Sequence, residues 1–143
     1  MDPTEAIETG RRILDRVLIP AGFVFLLGPT GKGSGGHFAS ASYVKQNRRL
    51  DFSYRWALGA VEYHIDEASL DHTSYMRLLN VHRESEYGRF PRDVPLAGFE
   101  ALRHDLELYC ADFLVGPGDE FRRLATALRT DPSLGHGVRA LDK

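Results

Sequence analysis

The sequence predicts an α+β domain: an N-terminal helix, an antiparallel sheet of about four strands in a meander, and C-terminal helices packed on one face of the sheet. Three observations carry that prediction. Apolar and polar residues alternate from Leu50 to Trp56 and again from Val61 to Asp66, as in a strand with one buried and one wet face. Between these runs and before them sit two-residue turn candidates, Leu58-Gly59 and Gln46-Asn47. Apolar residues recur at helical spacing near both ends of the chain, the signature of helices with one face on a core.

Asp2-Pro3-Thr4-Glu5 reads as a helix start, with Asp2 as cap, Pro3 at the first helical position and Glu5 completing a capping box. Ala6, Ile7, Gly10, Ile13, Leu14, Val17 and Leu18 form the apolar stripe, and Pro20 and Gly22 end the helix. Phe23 to Leu27 is apolar at every position. A strand with one wet face does not read that way, so a helix or a second subunit is expected to cover it. This run is the sequence's hint of a homodimer.

Gly28 to Gly36 is rich in glycine and holds Lys32. A phosphate-binding P-loop has four residues between its first glycine and the Gly-Lys pair, and it opens a helix. Here only Pro29 and Thr30 intervene, Gly33 follows the lysine, and Phe38 to Val44 is a strand pattern. The expected structure is a flexible connection. The Gln46-Asn47 turn sets Tyr43 against Leu50, Ala41 against Phe52 and Ala39 against Tyr54. A turn at Leu58-Gly59 sets Trp56 against Val61, Tyr54 against Tyr63 and Phe52 against Ile65.

A helix is expected from Ser69-Leu70 to about His82, capped by Ser69 or Asp71. Arg83 to Val94 has no period. A structureless stretch of that length is uncommon in a compact domain and is often functional. From Pro95, Leu96, Phe99, Leu102, Leu106, Tyr109, Cys110 and Phe113 mark a helix that Gly116-Pro117-Gly118 ends. Cys110 lies on its stripe as a packed small hydrophobe. A last helix runs from Asp119 to Thr130 until Asp131-Pro132 breaks it. The domain is therefore expected over 1–130, with a loose tail over 131–143.

The chain has 143 residues, 43% hydrophobic and 27% charged, with a net charge of -2. One soluble domain with no general attraction to nucleic acid or an anionic membrane follows. Lysine occurs only at positions 32, 45 and 143 beside many arginines, a coding bias that suggests a bacterial origin. A lone cysteine excludes an internal disulfide. The acidic N-terminus is no signal peptide, and the run Val17 to Leu27 is too short to span a bilayer. A cytoplasmic location is expected.

Two candidate sites follow from the topology. The glycine-rich loop and the Arg83–Val94 loop fall at one edge of the sheet. Lys32, Tyr87, Arg89 and Arg92 there suit a protein partner or a small anionic ligand. The wet sheet face carries Ser53, Arg55, Glu62, His64 and Asp66, with Asp51 facing Asp66 and Ser53 facing His64. His64-x-Asp66 is the first part of a facial-triad iron site, but no second histidine is fixed beside it. A serine, histidine and carboxylate on that face lack both a cleft and a Gly-x-Ser-x-Gly elbow. His104-Asp105 reads as helix surface. The expectation is a non-catalytic interaction or ligand-binding domain without cofactor, metal, nucleic acid or membrane contact. The alternative is an enzyme or metal-binding protein working from the face around His64.

Overall fold

The computed structural model describes residues 1–33 and 36–136. Ser34 and Gly35, and the part of the expected tail over 137–143, lie outside the described residues. Helix α1, Pro3–Leu18, starts as the sequence predicts. The Asp2 carboxylate accepts from the Glu5 amide at 2.8 Å, and the Glu5 carboxylate accepts from the Asp2 amide at 3.3 Å. That reciprocal pair satisfies two otherwise unpaired donors.

Five strands follow in one antiparallel sheet: β1, Val24–Gly33; β2, Gly36–Lys45; β3, Arg48–Tyr54; β4, Leu58–Ile65; and β5, Ala68–Asp71. Their order in space is their order in the chain. Helices α2 (His72–Leu78), α3 (Ala97–Tyr109), α4 (Ala111–Leu114) and α5 (Asp119–Thr130) complete the fold. Helix α1 lies over β2 and β3 and packs on α3, while α5 lies over β5. The architecture is α+β with one helical layer on one sheet face.

The strand count is therefore five rather than about four. Ala68–Asp71 is a strand, and only its last residue does helical work. Asp71 caps α2, accepting from the Ser74 amide at 3.1 Å. The helix expected over Leu70–His82 is thus shortened to His72–Leu78. Four residues are too few for alternation to declare a strand, and the cap signal at Asp71 won locally.

The β2–β3 register is the expected one, with Tyr43 opposite Leu50 and Ala41 opposite Phe52. Gln46, not Asn47, takes the left-handed conformation in that turn, at φ 53°. The β3–β4 register differs by four residues. Phe52 faces Val61 and Leu50 faces Tyr63, with an irregularity between Phe52 and Tyr54. The turn comes earlier than Leu58-Gly59, so Trp56 stands on the hairpin end, 73% exposed, rather than in the core. Because the slip is an even number, each core side chain keeps its face. The glycine-rich stretch is mostly strand: β1 continues to Gly33 and β2 begins at Gly36, around an irregularity between Leu27 and Thr30.

Phe23 is buried and stacked on Phe113, with ring centroids 5.8 Å apart, and Phe25 packs on Tyr43. Val24, Leu26 and Leu27 stay exposed on an edge strand. The helix expected from Pro95 to Gly116 is divided at Cys110 into α3 and α4. Arg48 holds the end of α4 through the carbonyls of Asp112, Phe113 and Gly116, at 2.7–3.1 Å. Asp112 in turn accepts from the amides of Gly118 and Phe121 at the start of α5. Among the described residues, Pro132–His136 forms a 3-10 helix against α2, tied by Arg77 donating to the Gly135 carbonyl at 2.6 Å. No described helix is long and apolar enough to cross a membrane.

Candidate functional site

The chain from Leu79 to Leu96 joins α2 to α3 without helix or strand. A connection of 18 residues with no ladder needs other partners for its backbone groups. Local turns supply many of them, as where the Glu84 and Ser85 amides donate to the Val81 carbonyl, and one carboxylate takes the amides of Glu86 and Tyr87. Asp105, on α3, is fully buried. Its Oδ1 accepts from the Glu86 amide at 2.9 Å and pairs with His104 Nδ1 at 2.8 Å. Its Oδ2 accepts from the Ser85 hydroxyl at 2.5 Å and the Tyr87 amide at 3.2 Å, and pairs with His72 Nε2 at 2.8 Å. Five donors thus meet one buried anion, drawn from α2, α3 and the loop.

Burial alone would raise the Asp105 pKa. Hydrogen bonds from His72, Ser85, the Glu86 backbone and His104 outweigh it and hold the carboxyl well below its usual range. A carboxylate only accepts, so the His72 proton facing it sits on Nε2. His72 Nδ1 then accepts from the Tyr63 hydroxyl, 2.7 Å away on β4. Burial pushes that phenol well above its usual pKa, so it stays a donor. Cys110 lies 3.8 Å from the same hydroxyl, its thiol pushed up to about 12 by burial. It is a packed, unreactive thiol.

The sequence places Asp105 on the helix surface; in the structure it is fully buried, because α3 turns it toward the α2–α3 loop. One signal was present: residue 105 stands between Leu102 and Leu106 on the apolar stripe of α3. Its partners at residues 72, 85, 86 and 87 have no spacing that a sequence displays.

In front of this network lies a recess of about 280 Å³. Helix α2 contributes His72, Thr73, Met76 and Arg77, and the loop contributes His82, Ser85, Tyr87, Gly88 and Arg89. Tyr87 sets the wall. Its hydroxyl donates to the Gly59 carbonyl on β4, and its ring meets His72 edge-on at 5.2 Å and Phe90 at 5.3 Å. Gly88 has φ 94°, a conformation that favours glycine. Arg89 donates to the carbonyls of Arg83 and His82 at 2.7 and 2.8 Å, closing the loop on itself.

Of the four loop-edge residues expected to act together, Tyr87 and Arg89 line this recess. Arg92 stands over the Phe90 ring at 5.1 Å. Lys32 lines a different recess, beside Asp2, Thr30 and His37. The loop does reach the expected end of the sheet, where Tyr87 meets Gly59 and Tyr54 donates to the Pro95 carbonyl at 3.4 Å. Sequence reading missed Arg77, His82, His72 and Ser85 as recess residues.

The five sheet-face residues divide into separate groups. Arg55 donates to the Gly36 carbonyl at the hairpin end. Asp66 sits in the β4–β5 turn at φ 51°, paired with Arg122 and Asn47 at 2.9 Å each. Hydrogen bonds from Arg122 and Asn47 lower its pKa. His64 faces Arg49, not Ser53, and Asp51 faces Glu62, not Asp66. The four-residue slip of β4 causes both corrections. Asp51 instead gathers the face: Ser42 and Arg49 donate to it at 2.7 and 2.9 Å, and His64 Nε2 lies 3.3 Å away. Glu62 is 3.7 Å from the same imidazole. Among the described residues no group of three or more His, Cys, Asp or Glu is placed to hold a metal ion.

Compared with known proteins, the chain matches no family model, no curated protein and no solved structure.

Proposed function

We propose that the chain is a small, non-catalytic, cytoplasmic ligand-binding domain of a bacterium, and that its site is the recess between α2 and the loop that follows. The observation that carries this reading is the clamp behind the recess. Asp105 fixes Ser85, Glu86 and Tyr87 from the core side, so the wall is set before any ligand arrives. Preformed, partly apolar concavities with a few fixed polar groups are what small-molecule sites look like. Fixing the wall in advance also lowers the ordering cost of binding.

The absence of catalysis is inferred from how the reactive groups are used. Both His72 ring nitrogens face protein partners, and the Ser85 hydroxyl donates to a carboxylate too acidic to serve as a base.

A fragment screen by thermal shift tests the reading, with Thr73→Trp as the blocking variant. Thr73 is exposed on the rim, so the variant is expected to melt close to wild type while filling the recess. A true ligand at a hundred times its Kd should add about 2.7 kcal/mol to wild type and nothing to the variant. Equal stabilisation of both proteins would place binding elsewhere and end the proposal.

A second reading, an interaction domain that pairs with its own copy, is favoured by β1. Val24 and Leu26 are 60% and 52% exposed on an edge strand that carries no charge before Lys32. Pro29 and the irregularity beside it guard the second half of that edge, not the first. A two-fold axis at Phe25 would set Val24 opposite Leu26 across the two copies. Native mass spectrometry should then show a dimer that Leu26→Lys dissociates. A wild-type monomer at tens of micromolar contradicts this reading.

A further inference from the structure

We infer that the recess beside α2 binds the oxyanion group of a small molecule, a phosphate or a carboxylate. The inference rests on the ligand-binding reading above and names its ligand class.

The charge of the lining is one-sided. Arg77 and Arg89 face the recess with His82 between them in sequence, and among the described residues no Asp or Glu lines it. Asp105 is fully buried behind, its oxygens occupied by five donors. The recess on the other side of the same loop is different. It is wider, about 490 Å³, and sets Glu84, Glu86 and Glu100 against Arg83 and Arg89. Of these two recesses, among the described residues, the α2 side alone combines fixed cations with no lining carboxylate.

The donors there are not used up. A guanidinium carries five N–H groups. Among the described residues Arg77 commits one nitrogen, to the Gly135 carbonyl, and Arg89 commits two, to the carbonyls of His82 and Arg83. Those bonds orient the forks and leave further N–H groups available. His82 Nδ1 is buried, and among the described residues no group bonds to it. A buried polar atom without a partner is costly and calls for explanation. An oxyanion seated between the two guanidiniums would provide the missing acceptor. Charge-assisted bonds from planar donors of this kind are the strong ones. The volume of about 280 Å³ admits a small molecule rather than a folded partner.

The test is an NMR titration of the full chain with sodium phosphate and with sodium acetate, each at constant ionic strength set by chloride. The readouts are the His82 ring resonances and the Gly88 and Arg77 amides. Saturable shifts at these positions are expected with at least one of the two ions. Phosphate acting alone would assign the site to a phosphoryl group, and acetate acting alone to a carboxylate. Arg77→Met and Arg89→Lys are each expected to weaken the response by about tenfold. Arg89→Lys keeps the charge but loses the fork, so it also separates geometry from net charge. The inference is overturned if neither ion moves His82, or if both variants respond like wild type. If neutral fragments still bind and Thr73→Trp blocks them while both ions fail, only the oxyanion inference falls. If neither ions nor fragments bind, the ligand-binding reading falls with it.

Discussion

Replacing Asp105 by alanine is expected to cost about 3–5 kcal/mol of folding stability, a drop of roughly 10 °C or more in Tm. The side chain is small, so lost packing is a minor part. The cost comes from five donors left behind, two of them backbone amides of a connection that has no ladder of its own. Each buried unsatisfied group costs about 1–3 kcal/mol. Asp105→Asn should fall between, because its amide oxygen still accepts while its NH₂ meets donors.

The pH dependence has a definite sign. The folded-state pKa of Asp105 is depressed, so its contribution is fully present above the unfolded value of about 3.9 and is lost as pH falls through the lower folded value. Wild type should therefore lose this contribution only below about pH 4, and Asp105→Asn should lack that acid-side loss. Urea unfolding between neutral pH and pH 3 checks both statements. A change within about 0.5 kcal/mol for Asp105→Ala would show that the network is not a stability determinant.

Phe99→Ala is the second large effect expected, about 3–5 kcal/mol from lost burial and the cavity left. Phe99 joins three elements. Its ring stacks on Tyr54 at 6.2 Å and stands edge-on to Phe52 at 6.1 Å, while α1 packs against it at Gly10. The approach of α1 needs a glycine. A Cβ on Gly10 would lie 2.4 Å from the Phe99 ring. Gly10→Ala alone should therefore destabilise, by about 1–3 kcal/mol through overpacking. In the Phe99→Ala background the same change should be neutral or stabilising, because the clash is gone and alanine is the better helix former by about 1 kcal/mol. A double-mutant cycle by chemical denaturation reads that reversal directly. Additive effects would contradict the contact.

The two faces of the meander were legible because alternation at Leu50, Phe52 and Tyr54 is a local property. So was α1, where Asp2, Pro3 and Glu5 lie within one turn. The β3–β4 register was not. Trp56 continues the alternation in sequence, but the chain turns at that point and leaves the ring in solvent. Alternation gives parity, and only the turn gives register. The candidate site was half legible. Tyr87 and Arg89 stood out as interface-type residues in an unpatterned stretch. Asp105, which holds that stretch, looked like any helical carboxylate because four of its five partners are 18 to 33 residues away in sequence. Arg77 and His82 were hidden by the overlong α2, whose extension to His82 made the recess wall look like helix surface.

A preformed site beside α2 requires that the loop be held before any ligand binds. Native-state hydrogen exchange at the Glu86 and Tyr87 amides measures this most directly. Both donate to a buried carboxylate, so both should exchange only through large-scale opening, with protection near that of the sheet amides at Leu50 and Tyr63. The same two amides should lose that protection selectively in Asp105→Ala. Exchange as fast as in an exposed loop in wild type would mean that Asp105 does not clamp the wall, and that no preformed site exists beside α2.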